Sequence, residues 1–313
     1  MGSILKKYVY RYNAVIFVYI FLIIIFLGFS ISFPIFRSSK NLTNILIQIV
    51  PLAMVSIGQT IVLIGGGVDL TVGSVISLTT VIMANFLGDV PSVTIIRILF
   101  VFAIAIVIGI INGFICNETK IAPLIVTLCT SSVIDGAVLA YRMSPGGIVP
   151  KELGNFINFK FGIVSVSTLI VVVLYIIFIT IMSRSTFGIH VYAMGGNSEF
   201  AKMAGINVKR VRIMTYIISA CLACVTGIVI AARMGSGLPT VGAPFLIDSL
   251  TAVIIGGTGF SGGHGFVLGT LAGAVMISVI SNALNMANVS PFYQYIAKGA
   301  ILLIAMIINS RKK

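Results

Sequence analysis

Charged residues are scarce in this sequence. Only 9% of its 313 residues are Asp, Glu, Lys or Arg, and 58% are hydrophobic, whereas a soluble domain carries roughly 25% charged residues. A core large enough to hide this much apolar surface from water is hard to build at such a length. The composition therefore excludes an ordinary soluble protein and predicts an all-α polytopic membrane protein, folded as a single transmembrane domain over residues 1–313.

Groups that carry catalysis or bind metal are also rare. The chain has two His, no Trp, no plausible Ser/His/Asp set and no metal-ligand cluster, and no G-x-x-x-x-G-K-[ST] sequence that would bind ATP. Cys221 and Cys224 form a C-x-x-C, but without a nearby His or second pair they are more typical of small residues on one helix face. We predict that the chain is not an enzyme and holds no metal or cofactor of its own.

Acidic residues are outnumbered, 7 against 20 Lys and Arg, which gives a net charge of +13. In a soluble protein this excess would suggest nucleic acid. Here the basic residues fall between apolar runs and at the termini, as the positive-inside rule describes, so we predict a lipid bilayer and no nucleic acid as partner. The bias is strongest in residues 184–212 and at both ends, which predicts that both termini lie in the cytoplasm. The terminal basic residues are Lys6, Lys7, Arg11, Arg311, Lys312 and Lys313.

Apolar runs take up most of the chain and predict about ten transmembrane helices. The first resembles a signal peptide, but it is about 20 residues long and no A-x-A-like site follows, which favours a retained span. The third and eighth runs are short and are expected to be broken or tilted helices. Glycines four residues apart, at 109 and 113 and at 265, 269 and 273, predict closely packed helices. The runs cover about 14–33, 45–64, 73–88, 95–115, 121–140, 162–182, 213–233, 246–257, 265–287 and 292–309.

The longest polar connection predicted to face the cytoplasm covers about 183–212. A turn signal at 195–197 precedes Ser198, which can cap a short helix running to about Ala204 and ending at Gly205. Such a capped helix is typical of a docking element, although an ordinary surface loop that contains helix start and stop residues would show the same sequence pattern.

Two glycine-rich stretches lie between apolar spans. In residues 65–74 an acid, Asp69, is flanked by glycines. This is costly inside a membrane and indicates function, unless the stretch is a solvated loop tip. Residues 256–265 contain a G-x-G-x-x-G, but the flanking membrane spans exclude a dinucleotide fold. The roles of three other polar residues stay open: Asp135, His264 and Lys298.

Four segments resemble, in order along the chain, motifs of the ribose-type monosaccharide permeases of ABC importers, which include ribose, xylose, galactose and autoinducer-2 permeases. Residues 65–74 resemble the GG-[IV]-DLSVGS signature, and residues 193–206 resemble the cytoplasmic G-x-N-x-x-A-x-x-A-G-I motif. Residues 112–128 and 251–304 are similar as well. Phe200 departs from the pattern, because Ala is common at that position.

The resemblance implies an assembly of several subunits. Two permease subunits, as a homodimer or a close heterodimer, form the pathway. A two-cassette ATP-binding subunit, which carries the ATP and Mg²⁺, docks from the cytoplasm, and an extracytoplasmic sugar-binding protein delivers the solute. Coupling to the ATPase is expected at Gly195, Gly196, Asn197, Glu199, Ala204, Gly205 and Ile206. The pathway or its gate is expected at Gly65, Gly66, Asp69, Ser74, Asn112 and Gly113.

The function implied is import of a ribose-like monosaccharide across the bacterial cytoplasmic membrane by alternating access, driven by the separate ATPase. Another sugar, a sugar-like signalling molecule or a nucleoside stays open as solute. The alternative is a secondary transporter or channel that acts without an ATPase, with Asp135 and Asp248 as the only ion-coupling acids within its spans. A membrane scaffold or enzyme is a third reading.

Overall fold

The computed structural model describes the backbone of residues 2–85 and 93–310, and the side chains of residues 15–85 and 93–307. Within these ranges the chain is almost entirely helical. A 3₁₀ helix covers Pro34–Arg37, and the strands Lys160–Phe161 and Val164–Ser165 form a small antiparallel hairpin. The α-helices are α1 (Gly2–Ser32), α2 (Ser39–Ile64), α3 (Val72–Asn85), α4 (Thr94–Glu118), α5 (Pro123–Tyr141), α6 (Lys151–Asn158), α7 (Val166–Arg184), α8 (Thr186–Gly196), α9 (Ser198–Met203), α10 (Val208–Met234), α11 (Ala243–Ile255), α12 (Val267–Met286) and α13 (Pro291–Ser310).

Ten of these helices coincide with the predicted apolar runs. Seven of the ten are long and apolar enough to cross a membrane, and α3, α11 and α13 are shorter apolar helices. The all-α polytopic prediction, with short third and eighth spans, is confirmed. The basic residues 6, 7 and 11 lie outside the described side chains, and residues 311–313 lie outside the described residues altogether.

Helices α2 and α10 form the centre of the bundle. Every residue of α2 from Val50 to Ile64 is buried, and α10 packs against α2, α3 and α4. The outer helices instead expose large apolar side chains, such as Ile24, Leu99 and Ile176. A belt of exposed apolar side chains is costly in water and favourable in lipid, so the surface agrees with a membrane location.

A proline within α2 is accommodated by a side chain from α10. Pro51 has no N–H, so the carbonyl of Ile47 lacks its usual helical hydrogen bond. Arg233 Nη1 donates to that carbonyl over 3.1 Å. The contact ties the last turn of α10 to the middle of α2.

Four of the five spaced glycines place helices in close contact, as predicted, whereas Gly265 lies in the loop before α12, where a Cβ would lie against Thr258 of that loop. A Cβ at Gly109 or Gly113 of α4 would lie 2.5 Å from the Cα of Ile217 or Ile213 of α10. On α12, a Cβ at Gly269 would lie 2.1 Å from a carbonyl oxygen at the end of α11, and Gly273 repeats this one turn later. Larger residues would push these helices apart.

Candidate functional site

The loop between α2 and α3 turns the chain back into the bundle. Gly66 has a φ of +78°, which favours glycine, and the amides of Gly66 and Gly67 donate to the carbonyls of Leu63 and Val62 over 2.9 Å each. The turn directs the following residues inward, so that Asp69 is only 1% exposed. Asp69 is therefore not at a solvated loop tip.

Asp69 and Asn112 come together through Thr71. Asp69 Oδ1 accepts hydrogen bonds from the Thr71 amide and hydroxyl, at 2.9 and 2.5 Å. The Thr71 hydroxyl in turn accepts a hydrogen bond from Asn112 Nδ2 of α4 over 3.2 Å. Two residues predicted for the pathway, from segments far apart in sequence, thus belong to one buried cluster.

The cluster leaves polar atoms without partners. Asp69 Oδ2 and Asn112 Oδ1 are buried, and among the described residues neither has a hydrogen-bond partner. Ser219 of α10 lies beside the Asp69 carboxyl group, and no cation forms an ion pair with that carboxyl group in the described part of the chain. A carboxyl group and an amide are costly to bury in an apolar bundle, so the cluster indicates a functional site.

Helix α5 holds the other end of this loop. The Val68 carbonyl accepts hydrogen bonds from Thr127 of α5 and Tyr216 of α10, over 3.2 Å each. Ser74, in the first turn of α3, shares a 2.7 Å hydrogen bond with Ser131 of α5. Sequence analysis missed the α5 residues, although hydroxyls four residues apart within an apolar span were a usable signal.

The connection of residues 183–212 contains more helix than predicted. The sequence predicts a single short helix there, at about 198–204, whereas the structure also has α8 at Thr186–Gly196. In α9 the prediction that Ser198 is the cap was wrong. Asn197 caps the helix, since its Oδ1 accepts from the amides of Glu199 and Phe200 over 3.0 Å each, and Ser198 is the first helical residue.

The end of α9 agrees with the prediction. Gly205 has a φ of +84°, and the Ile206 amide donates to the Ala201 carbonyl over 3.1 Å. This left-handed glycine ends the helix. On the outer side of α9, Phe200 and Met203 are exposed, at 69% and 82%.

In the structure the predicted pathway residues form one group and the predicted coupling residues form another, and the two groups are in contact. Residues 65–66, at the end of α2, lie against residues 195–196, at the end of α8. Gly113 lies one residue after Asn112 and packs against α10. The remaining coupling residues lie on or beside α9: Asn197, Glu199, Ala204, Gly205 and Ile206.

The three residues whose roles were left open have different environments. Lys298 of α13 forms a 2.7 Å ion pair with Asp248 of α11, and both side chains are largely buried. His264 is exposed, and its ring lies 2.9 Å from the Gly262 carbonyl of its own loop. Asp135 is on an exposed face of α5, with the Ser131 hydroxyl 3.5 Å away.

Comparison with known proteins identifies the family of the chain. Residues 41–306 match the family described as the branched-chain amino acid transport system / permease component. The ribose import permease protein of Bacillus subtilis (strain 168) is 34% identical over 90% of this chain and 88% of its own length. The L-arabinose transport system permease protein of Escherichia coli (strain K12) is 32% identical over 93% of this chain and 88% of its own.

A third relative is named for the import of another sugar. The galactose/methyl galactoside import permease protein of Haemophilus influenzae is 32% identical over 93% of this chain and 93% of its own length. No solved structure matches the chain. Because the family model and these relatives cover most of the chain, the protein belongs to this family of permease components, among the ribose-type permeases of ABC importers.

Proposed function

We propose that this chain is the transmembrane permease subunit of an ABC importer that carries a ribose-like monosaccharide inward across the bacterial cytoplasmic membrane. The observation that carries the proposal is the near full-length similarity to permeases named for ribose, galactose and L-arabinose import. The buried Asp69 cluster supports it, because unsatisfied polar atoms in an apolar bundle are typical of a solute pathway. The whole of residues 1–313 would form one transmembrane domain.

The energy source would be a separate subunit. A two-cassette ATP-binding subunit would bind ATP and Mg²⁺ and hydrolyse the ATP, so this chain would need no cofactor and would not itself be an enzyme. Its docking surface would be α9, where the exposed Phe200 and Met203 flank Lys202. Exposed apolar side chains gain most from burial against a partner.

Two further partners complete the assembly. A second permease copy, identical or closely related, would form the other half of the pathway, and an extracytoplasmic sugar-binding protein would deliver the solute. If the three shorter apolar helices cross the membrane together with the seven long ones, ten crossings would bring both ends of the chain to one side, and the basic residues of 184–212 would favour the cytoplasm for that side. The termini and α9 would then share the cytoplasmic face.

Transport would proceed by alternating access. Closure of the cassettes on ATP would move α9 and α8, and the bundle would switch which side its pathway opens to. ATP shifts this equilibrium only by binding the two states differently. The loop of residues 65–71 would act as the gate, since its residues 69–71 are buried and its Val68 carbonyl is held by hydrogen bonds from α5 and α10.

A secondary transporter would need an acid that binds the coupling ion, and of the two candidates, Asp135 and Asp248, the second is poorly suited. The Asp248 carboxylate is already neutralised by Lys298 within the bundle, so it is poorly suited to binding a coupling ion. The family relationship also points away from transport without an ATPase.

Uptake into proteoliposomes tests the proposal. The chain is reconstituted with and without its ATPase and binding protein, and a panel of labelled sugars is supplied outside with ATP inside. We expect uptake only when both partners and ATP are present, with a pentose such as ribose preferred. Uptake by the chain alone, driven by an ion gradient, would overturn the proposal.

A further inference from the structure

The glycine-rich residues 256–265 have had no role so far, yet they lie against both proposed functional segments. Glycines from three segments meet at one place, which we call the glycine junction: residues 65–66, 195–196 and 262–263. A Cβ at Gly262 would lie 2.6 Å from the Gly195 carbonyl oxygen and 2.9 Å from the Gly66 Cα, and a Cβ at Gly263 would lie 2.6 Å from the Gly196 Cα. At Gly262 and Gly263 no side chain larger than hydrogen fits without displacing backbone.

The junction is joined by a hydrogen bond as well as by close approach. The Gly263 amide donates to the carbonyl of Ile64, the last residue of α2, over 2.8 Å. A Cβ at Gly195 would lie 1.8 Å from that same oxygen. The end of α8 therefore lies directly over the bond that links the 256–265 loop to α2.

Helix α8 contacts the 256–265 loop a second time, one turn earlier. The Tyr192 hydroxyl donates to the Gly265 carbonyl over 2.8 Å. With residues 195–196 on Gly262 and Gly263, α8 contacts both halves of the segment 262–265. A displacement of α8 must move this loop or break these contacts.

From the junction it is a short distance along the chain to the buried acid. Gly66 is three residues before Asp69, and the intervening Val68 carbonyl is held by Thr127 and Tyr216. Packed backbone has no rotamers with which to absorb a displacement, so small shifts pass on as rigid-body movement. A longer side chain at the junction would supply a compressible contact instead.

We propose that the glycine junction is the contact through which the coupling segment positions the Asp69 loop, with Gly195, Gly262 and Gly263 as positioning residues. This assigns a role to the 256–265 loop as the middle layer between α8 and the pathway. The inference rests on the proposed function, because it requires ATP-driven movement of α8 and α9.

The test compares two alanine substitutions in the complete importer. Gly195→Ala places a methyl group against the Ile64 carbonyl, whereas Gly28→Ala in α1 meets nothing within 4 Å. We expect Gly195→Ala to lower uptake at least about tenfold, the scale of an ordinary coupling free energy, while ATP hydrolysis by the assembled complex continues. Gly28→Ala should transport as the wild type does. Equal uptake by both variants would overturn the inference.

Amide hydrogen exchange provides a readout that a purely structural defect would not move. In the wild-type complex, addition of ATP should change the exchange of the Gly263 amide together with residues 66–71, and in Gly195→Ala the two regions should no longer respond together. If Gly195→Ala fails to assemble, the wild-type measurement still decides, since an unchanged Gly263 amide contradicts the junction. Absence of any ATP-driven uptake by the wild type would instead contradict the proposed function.

Discussion

Asp248 Oδ2 and Lys298 Nζ lie 2.7 Å apart between α11 and α13, with both side chains largely buried. The two residues are 50 positions apart in sequence, and each alone is costly in an apolar bundle. Paired, they neutralise each other and join α13 to the short helix α11.

Removal of one member of this pair should destabilise the protein. Lys298→Met leaves the Asp248 carboxylate buried without its cation, which costs about 3–5 kcal/mol. We expect a clearly lower unfolding temperature in detergent for Lys298→Met. The double variant with Asp248→Leu should recover most of the loss, since no charge is then left unpaired. A double variant as unstable as the single one would contradict a simple ion-pair role.

Asp69→Ala should impair transport. The substitution removes the acceptor of the Thr71 amide and hydroxyl, and each donor left unsatisfied costs about 1–3 kcal/mol. We expect loss of most ATP-driven uptake, with the protein still in the membrane. Glu118→Gln is the control, because Glu118 is an exposed acid paired only with groups at the surface. Wild-type uptake by Asp69→Ala would show that Asp69 is not part of the gate.

Substitutions at Asn197 and Ser198 test which of the two residues caps α9. Asn197→Ala removes the acceptor of the Glu199 and Phe200 amides, which costs about 1 kcal/mol of helix stability. We expect faster hydrogen exchange at those amides and weaker coupling of ATP hydrolysis to uptake. Ser198→Ala should change neither the amide exchange nor the coupling. Equal effects of the two variants would contradict Asn197 as the cap.

Gly205 should tolerate only residues that adopt a left-handed conformation. Its φ of +84° is strained for a β-branched side chain. Gly205→Val is expected to disturb the end of α9 and to uncouple ATP hydrolysis from transport. Gly205→Asn, which tolerates this region better, should retain more uptake. The ratio of sugar transported to ATP hydrolysed measures the difference, and identical ratios for Val and Asn would argue against the backbone explanation.

The contact between α4 and α10 should be sensitive to a single methyl group. A Cβ at Gly109 would lie 2.5 Å from the Ile217 Cα, whereas a Cβ at Gly136 of α5 meets nothing within 4 Å. Gly109→Ala should therefore destabilise by about 1–3 kcal/mol through overpacking. Gly136→Ala should be neutral or slightly stabilising in its helix. Thermal unfolding of both variants in detergent is the measurement.

The class of fold and the membrane spans can be predicted from the amino-acid sequence. Long apolar runs of about 20 residues have few alternatives to a membrane helix, because a lipid-exposed backbone must satisfy its own hydrogen bonds. The glycines at 109 and 113 predict a close contact between helices, because residues four positions apart lie on one helix face. Gly205 predicts the end of α9, because glycine readily adopts the left-handed conformation found there. The four sequence motifs are sufficient to indicate the family.

Which polar groups meet depends on how distant helices pack against one another. Nothing local in the sequence pairs Asp248 with Lys298, or brings Asn112 to Asp69 through Thr71. The choice of Asn197 over Ser198 as cap depends on which residue is the last to keep an extended backbone. The meeting of residues 65–66, 195–196 and 262–263 depends on how the ends of α2 and α8 pack against the loop between α11 and α12. Such contacts are set by packing between distant segments, which local spacing does not encode.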